Sequence, residues 1–561
     1  MGSRYEIHIG PQGSGGSGPP PTVDDHFAPK YLVGNVPAGD PNAAQAAPFV
    51  YIPDPGDGSG IAAALAQPNG PGDVWIRPGT YDLGAGTTPP LFVPTGVRVQ
   101  GSGQSTIVKG KTTGDQGVFV LSLGSTLSHL QCEVTASDAG SVTSIALIRS
   151  ISALLIEDVQ VTFATAAGGV LRQGIRLEAT AGAPKQTNVR NVNIVCTTTP
   201  TGIGSPTACM WVDGTPPTQA YGDLDTVFCQ GGDVGVINNG LFIGDNIVLL
   251  NWYQYGIWTQ PGSGGALSQI LNGYVIANPA PSANPIGVYV QAGGLAARSV
   301  SLQLGATAGG VGVAIDGASG QVNFGTIENC TISCDTIGVK LGSSGGLAVN
   351  GTTVRDCEIV TGQYGVLGGN LSTSHITDND ITLNSGGSQS PVAGIQLVSG
   401  GTRDTVEDNA IQVNDGAGAA YAIDSAAAEV TISGNAIIGT GAGGIHVHGQ
   451  RHTCVGNVIQ ANAIGTPWTA IRVEAGAGCT VVGNSCSNSN AYTLAPIVMA
   501  ADLCTIGNNI TSVTSGAPGA TPGISISGSN NTCLGNTCNG SNTVPVSDTG
   551  LGNDVAHNIG V

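Results

Sequence analysis

One short phrase recurs seven times between Thr405 and Asn558, and it leaves the chain few ways to fold. It reads TVEDNAI, TISGNAI, CVGNVI, VVGNSC, TIGNNI, CLGNTC and VAHNI. The asparagines fall at Asn409, Asn435, Asn457, Asn484, Asn508, Asn536 and Asn558, at intervals of 26, 22, 27, 24, 28 and 22 residues. A repeat of roughly 20 to 50 residues marks a stacked architecture. Within each phrase apolar and small or polar residues alternate, as at Val430, Ile432 and then Ile437, so the segments are strands.

A second strand opens each repeat as Gly-Ile/Val-x-apolar, for example Gly394-Ile395-Gln396-Leu397, Gly444-Ile445-His446-Val447 and Gly523-Ile524-Ser525-Ile526. Such short strands cannot bury an apolar face alone, but stacked copies share one core. The expected fold is all-β, a single-stranded parallel β-helix. Asparagine has two uses in it: it tolerates the left-handed conformation of a tight bend, and its amide can bond to equivalent amides above and below.

Composition narrows the function. The chain has 561 residues, 89 of them glycine, with only 9% charged and 4% aromatic. A net charge of −19 and the lack of any Lys/Arg cluster disfavour nucleic acid and anionic membrane as partners. No apolar run reaches membrane-spanning length, so no membrane insertion is expected. Thirteen cysteines without a CxxC read as small buried hydrophobes kept reduced, with Cys486 and Cys538 expected at the inward position of Ile411, Ile437 and Ile510.

The N-terminal MGSRYEIHIGPQG has neither a basic n-region nor an apolar h-region, so no Sec signal is expected and synthesis in the cytoplasm follows. Residues 1–22 read as an arm and Gly/Ser/Pro linker, with Tyr5 to Ile9 suited to adding a strand to a partner's sheet edge. Residues 23–110 form a lead-in and N-terminal cap, and 111–561 the β-helix. In the cap, Ile61 to Gln67 is an Ala-rich helix, Val74 to Ile76 a strand, Pro78-Gly79 a turn and Val97 to Val99 the next strand.

This cap, with its Ala-rich helix, WIRPGTY turn and VPTGVRVQGSG strand pair, resembles the pectate-lyase-like right-handed β-helix superfamily. That superfamily includes polysaccharide lyases, polygalacturonases, epimerases and phage tailspikes. The resemblance implies a right-handed solenoid from about Asp54 onward, and it is shared by enzymes and non-enzymes alike. The polygalacturonase-type N-T-D, D-D, G-H-G and R-I-K motifs are not reproduced.

Alternation along each Gly-apolar-x-apolar strand points x outward, and stacking aligns these positions into a column. It runs Arg176, Trp211, Ile237, Trp258, Tyr289, Ala314, Lys340, Leu367, Gln396, Asp424, His446, Arg472, Val498, Ser525, over a strip on the order of 60 Å at about 4.8 Å per coil. Two residues further lies a neighbouring column with Glu178, Asp213, Gln260, Gln291, Asp316, His448 and Glu474. Aromatics beside carboxylates suit sugar rings. Arg176, Trp211, Trp258, Tyr289, Asp316, Asp424, His448 and Trp468 are therefore candidate carbohydrate contacts, with Trp252, Tyr253 and Tyr255 close by.

Two patches offer chemistry. Glu178 and Asp213 sit on adjacent coils near the carboxylate spacing of retaining glycosidases. The resemblance implies a second possibility, proton removal beside a sugar carboxylate, with His446 as base, Arg472 as clamp and Glu474 orienting His448. The i, i+2 histidine pair lacks a third nearby ligand along the sequence, so no metal is expected. No cofactor is indicated, and calcium, though compatible with the chain, is not called for by any residue pattern.

Three readings follow. The first is a tailspike-like or fibre-like subunit, a homotrimer, that binds surface polysaccharide and attaches to a particle or baseplate protein through residues 1–22. The second is a polysaccharide lyase, glycosidase or C5-epimerase on an acidic polysaccharide. The third is a purely structural β-helix.

Overall fold

In the computed structural model the chain winds into stacked coils by putting one residue of each coil into the left-handed backbone region. It describes residues 30–34, 50–66, 72–83, 90–110, 117–134, 146–164, 173–179, 186–197, 207–214, 220–260, 267–278, 284–291, 293–305, 309–316, 325–342, 349–384, 390–414, 420–439, 443–461, 469–488, 494–513, 522–540 and 544–560. The arm at 1–22 and Trp468 lie outside these residues.

The left-handed position recurs in register from His129 through Asp158, Asn191, Asn246, Asn329, Asp378, Asp408, Gly434, Gly483 and Asn508 to His557, with φ between 48° and 69° at these positions. Glycine, asparagine and aspartate dominate it because they tolerate positive φ at least cost. The bend splits one wide face into two planes. In the front half it falls inside unbroken strands such as Leu155–Phe163, Gln186–Cys196 and Leu267–Ala277, and further on it separates pairs such as Thr405–Glu407 and Ala410–Asn414.

A narrow face closes each coil. Its strands run from Leu91–Val93 to Val546–Asp548, all parallel and in register, with Ile175, Met210, Val236, Ile257 and Val288 stacked inward. The fold is thus the expected single-stranded right-handed parallel β-helix. One continuous apolar core runs its length. Inward glycine on the narrow face is required by close approach: a Cβ at Gly338 would lie 2.3 Å from Ile359 Cγ2 and 2.6 Å from Gly365 O.

The asparagine ladder is real and departs from the expected set at one coil only, where it is offset by one residue. The residue after each left-handed position points inward, and it is Asn509, not Asn508, that occupies this site in its coil. Asn435 donates through its backbone N and Nδ2 to Asn457 Oδ1 at 3.1 and 2.9 Å, Asn457 Nδ2 donates to Asn484 Oδ1 at 2.9 Å, and Asn484 Nδ2 to Asn509 Oδ1 at 3.0 Å. The ladder begins one coil before the repeat phrase, at Asn379. The left-handed bend itself belongs to the preceding residue. The offset also corrects the inward column: Thr511 stacks between Cys486 and Cys538, while Ile510 is turned out and 48% exposed.

All thirteen cysteines are free and buried. The cap helix forms over Ser59–Leu65 and packs on the first coils. Its start is held by the fully buried Asp54, whose carboxylate accepts bonds from the backbone N of Gly56, Asp57, Gly58, Gly60 and Ile61 at 2.8 to 3.2 Å. Among the described residues no helix is long and apolar enough to cross a membrane.

Two tests follow from these interior polar groups. Asn509→Ala strands buried donors of Asn484 and should cost roughly 2–4 kcal/mol, whereas Asn508→Gly, which places glycine where Gly434, Gly456, Gly483 and Gly535 already stand, should be near neutral; equal losses in denaturation midpoint would contradict the register. At a second bend, buried Asp404 accepts a bond from Ser374 N at 2.9 Å through Oδ1, while Oδ2 has no partner, and burial pushes its carboxyl up to about 6. A raised carboxyl binds its proton more tightly in the folded chain, so stability falls as pH rises from about 4 to about 6. Asp404→Asn should therefore raise stability at pH 7 by roughly 1–3 kcal/mol and flatten this slope in thermal melts; a lower melting temperature would contradict the account.

Candidate functional site

The outward column of the narrow face is continuous. Strand register pairs Arg149 with Arg176, then Trp211, Ile237, Trp258, Tyr289, Ala314, Lys340, Leu367, Gln396, Asp424, His446, Arg472, Val498 and Ser525 in turn. The neighbouring column is equally regular, with backbone bonds carrying Asp213, Gln260, Gln291, Asp316, His448 and Glu474 at the position after each strand. Residues hundreds of positions apart therefore share one surface, because each coil repeats the same parity.

At the N-terminal end of the face, arginines and acids alternate. Arg149 Nε lies 2.9 Å from both oxygens of Glu178 and its Nη2 2.8 Å from Oε2. Arg176 Nε lies 2.8 Å from Glu178 Oε1, its Nη2 donates to Asp213 Oδ2 at 2.6 Å, and its guanidinium sits 5.2 Å over the Trp211 ring. Glu178 and Asp213 are thus brought together, but both are engaged by guanidiniums and largely covered, with side-chain exposures of 15% and 12%. The arrangement fixes two carboxylates as an ionic platform and offers no uncommitted acid for a glycosidase pair.

The next tiers carry a rigid aromatic cluster. Tyr255 lies 5.0 Å from Trp258 and stacks on Tyr289 at 5.4 Å. Trp211, Tyr255 and Trp258 pack over Ile237, which is fully buried although it points away from the core. Trp258 Nε1 donates to Gln291 Oε1 at 3.0 Å, and Gln291 Nε2 donates to Tyr289 OH at 2.9 Å. Burial pushes the Tyr255 and Tyr289 hydroxyls above their ordinary values, with Tyr289 adding to the effect on Tyr255 and Asp316 to that on Tyr289, so both stay protonated at neutral pH. Trp252 does not join them. It is fully buried in the core, because left-handed Asn251 inserts an extra residue at a register shift between Leu250 and Trp252 and reverses the side-chain parity.

The C-terminal patch forms a compact charge network. Asp424, His446 and Arg472 stack on successive coils, with His448 and Glu474 beside them. His446 stacks on Tyr421 at 4.4 Å and meets His448 edge-on at 3.7 Å. It lies beneath them with only 7% exposure, so it is not an open base, whereas His448, Arg472 and Glu474 remain about one-third exposed at 36%, 36% and 35% of their side chains. Burial pushes the Asp424 carboxyl up, but bonds from His446 and Gln396 and the charge of the two imidazoles more than offset it and leave it below the usual range. Glu474 approaches both histidines, His446 Nε2 at 3.2 Å and His448 Nδ1 at 3.5 Å, and it is itself held by Arg472.

A shallow cavity of about 400 Å³ lies elsewhere, on the wide face between Asn246, Asn272, Tyr274, Ser299 and Asn329. It gathers amides and hydroxyls but no acid–base group near neutrality. The narrow face is where aromatics, acids and imidazoles converge, and the candidate site belongs there.

A family model described as "Right handed beta helix region" matches residues 305–464. No curated protein matches the sequence. Solved structures similar to the chain include the A-module of a mannuronan C-5 epimerase from Azotobacter vinelandii (13% identity, 90% of this chain and 94% of that one, TM-score 0.21). They also include a DFA-IIIase from Arthrobacter chlorophenolicus (14%, 90% and 93%, TM-score 0.23) and the tailspike protein of the E. coli bacteriophage HK620 (10%, 84% and 76%, TM-score 0.28). Similarity at this level carries no assignment of activity.

Proposed function

We propose that the protein is a carbohydrate-binding β-helix that lays an oligosaccharide along the outward column of its narrow face. The observation that carries this reading is the set of partly exposed rings of Trp211, Tyr255, Trp258 and Tyr289, gathered within four coils of the narrow face, with Trp258 and Tyr289 locked by Gln291. Rings fixed on a rigid sheet stack on sugar C–H faces without losing rotamer freedom. The flanking Tyr hydroxyls, Asp316 and Gln260 supply donors and acceptors, and the Arg176–Asp213–Glu178 platform extends the polar surface. Trimer formation, display on a phage or phage-like particle and attachment through residues 1–22 extend this proposal and rest on the sequence alone.

A second reading is favoured by the C-terminal patch. Arg472 beside Tyr421 and His448 could bind a sugar carboxylate and exchange the adjacent proton, as a uronate lyase or C5-epimerase would require. Of the residues expected to act there, His448 rather than His446 is the accessible imidazole.

Calorimetry on acidic and neutral oligosaccharides tests the first reading. Trp258→Ala should weaken glycan binding at least tenfold, while Tyr274→Ala on the wide face leaves it unchanged; unaltered affinity in Trp258→Ala would sink the groove. Turnover of a uronate polymer, read as unsaturated product or inverted C5 stereochemistry and lost in His448→Ala, would establish the enzyme instead.

A further inference from the structure

We infer that Asp424, His446 and His448 form a site for a divalent transition-metal ion of the zinc type, completed by Glu474 as an outer carboxylate. Each carboxylate is anchored by one oxygen and offers the other to both imidazoles. Asp424 Oδ2 accepts a bond from Gln396 Nε2 at 2.9 Å, and its Oδ1 lies 3.2 Å from His446 Nδ1 and 3.0 Å from His448 Nε2. Glu474 Oε1 is held by Arg472 Nη2, and its Oε2 lies 3.2 Å from His446 Nε2 and 3.5 Å from His448 Nδ1.

The arrangement is unusually dense: four ring nitrogens lie within 3.0 to 3.5 Å of carboxylate oxygens. His446 Nε2 is buried and makes no hydrogen bond despite its 3.2 Å approach to Glu474.

A metal fits this donor set. On the Asp424 side, one oxygen and two ring nitrogens lie within 4.8 Å of one another. The oxygen–nitrogen separations of 3.2 and 3.0 Å on that side are close to the edge of a tetrahedron with bonds of about 2.0–2.1 Å, roughly 3.3 Å. On the opposite side, Glu474 would take the N–H of each ring, fixing the tautomers that leave lone pairs toward the ion, as outer carboxylates do for zinc-bound histidine. Two nitrogens and one oxygen suit zinc, cobalt or nickel better than calcium. The partial exposure of His448 leaves a fourth position within reach of water or a ligand.

The test uses the full chain freed of metal by chelator dialysis and titrated with Zn²⁺ by calorimetry and with Co²⁺ by visible absorption. One equivalent should bind, with tetrahedral cobalt bands. His448→Ala and Asp424→Asn should each weaken binding at least a hundredfold, Glu474→Gln about ten- to a hundredfold, and His375→Ala on the wide face should have no effect; circular dichroism checks that each variant is folded. Absence of binding by the unaltered protein, or unchanged affinity in folded His448→Ala, overturns the inference, and either result leaves the aromatic groove untouched.

Discussion

The fold depends on one backbone constraint repeated from coil to coil among the described residues: a residue held at positive φ on the wide face, whose successor points inward. That bend sets the angle of the wide face and resets side-chain parity, so each coil lands on the last in register at about 4.8 Å. What fills the inward site after the bend changes along the molecule. Val159, Val192, Val227, Ile247 and Val300 occupy it in the front half, and asparagine takes over from Asn379. Both solutions satisfy the same geometry, one by apolar burial and the other by an amide chain that leaves no donor unpaired.

Register also makes the surface. Because the narrow face repeats one parity along the column, a stripe of roughly 60 Å is assembled from residues scattered through the chain. Its N-terminal part is a guanidinium–carboxylate platform next to a cluster of rings, and its C-terminal part a pair of imidazoles between two acids. The two parts differ in kind. Rings over buried Ile237 form a stiff apolar shelf, whereas the imidazole cluster concentrates charge in a small, partly dry volume.

The repeat, the fold and the full outward column were legible in the sequence, since Gly-apolar-x-apolar marks parity directly. Three features were not. TIGNNI contains two adjacent asparagines, and only the register with Asn484 and Asn536 shows that Asn509 enters the ladder while Asn508 makes the bend. Trp252 lies close to the aromatic strip in sequence, but the inserted Asn251 turns it into the core. The arginine clamps that occupy Glu178 and Asp213 come from neighbouring coils, and no local spacing announces contacts made by stacking. The C-terminal patch, by contrast, was legible, because the two outward columns already set Asp424 and Glu474 beside the histidine pair.

The central claim is that the narrow face, and within it the aromatic tiers, is where the protein meets its ligand. A crystal structure with a bound oligosaccharide tests this most directly. The account predicts sugar rings seated on Trp258 and Tyr289 with the chain running along the coil axis; density confined to the wide-face hollow around Tyr274, with the narrow face bare, would contradict it.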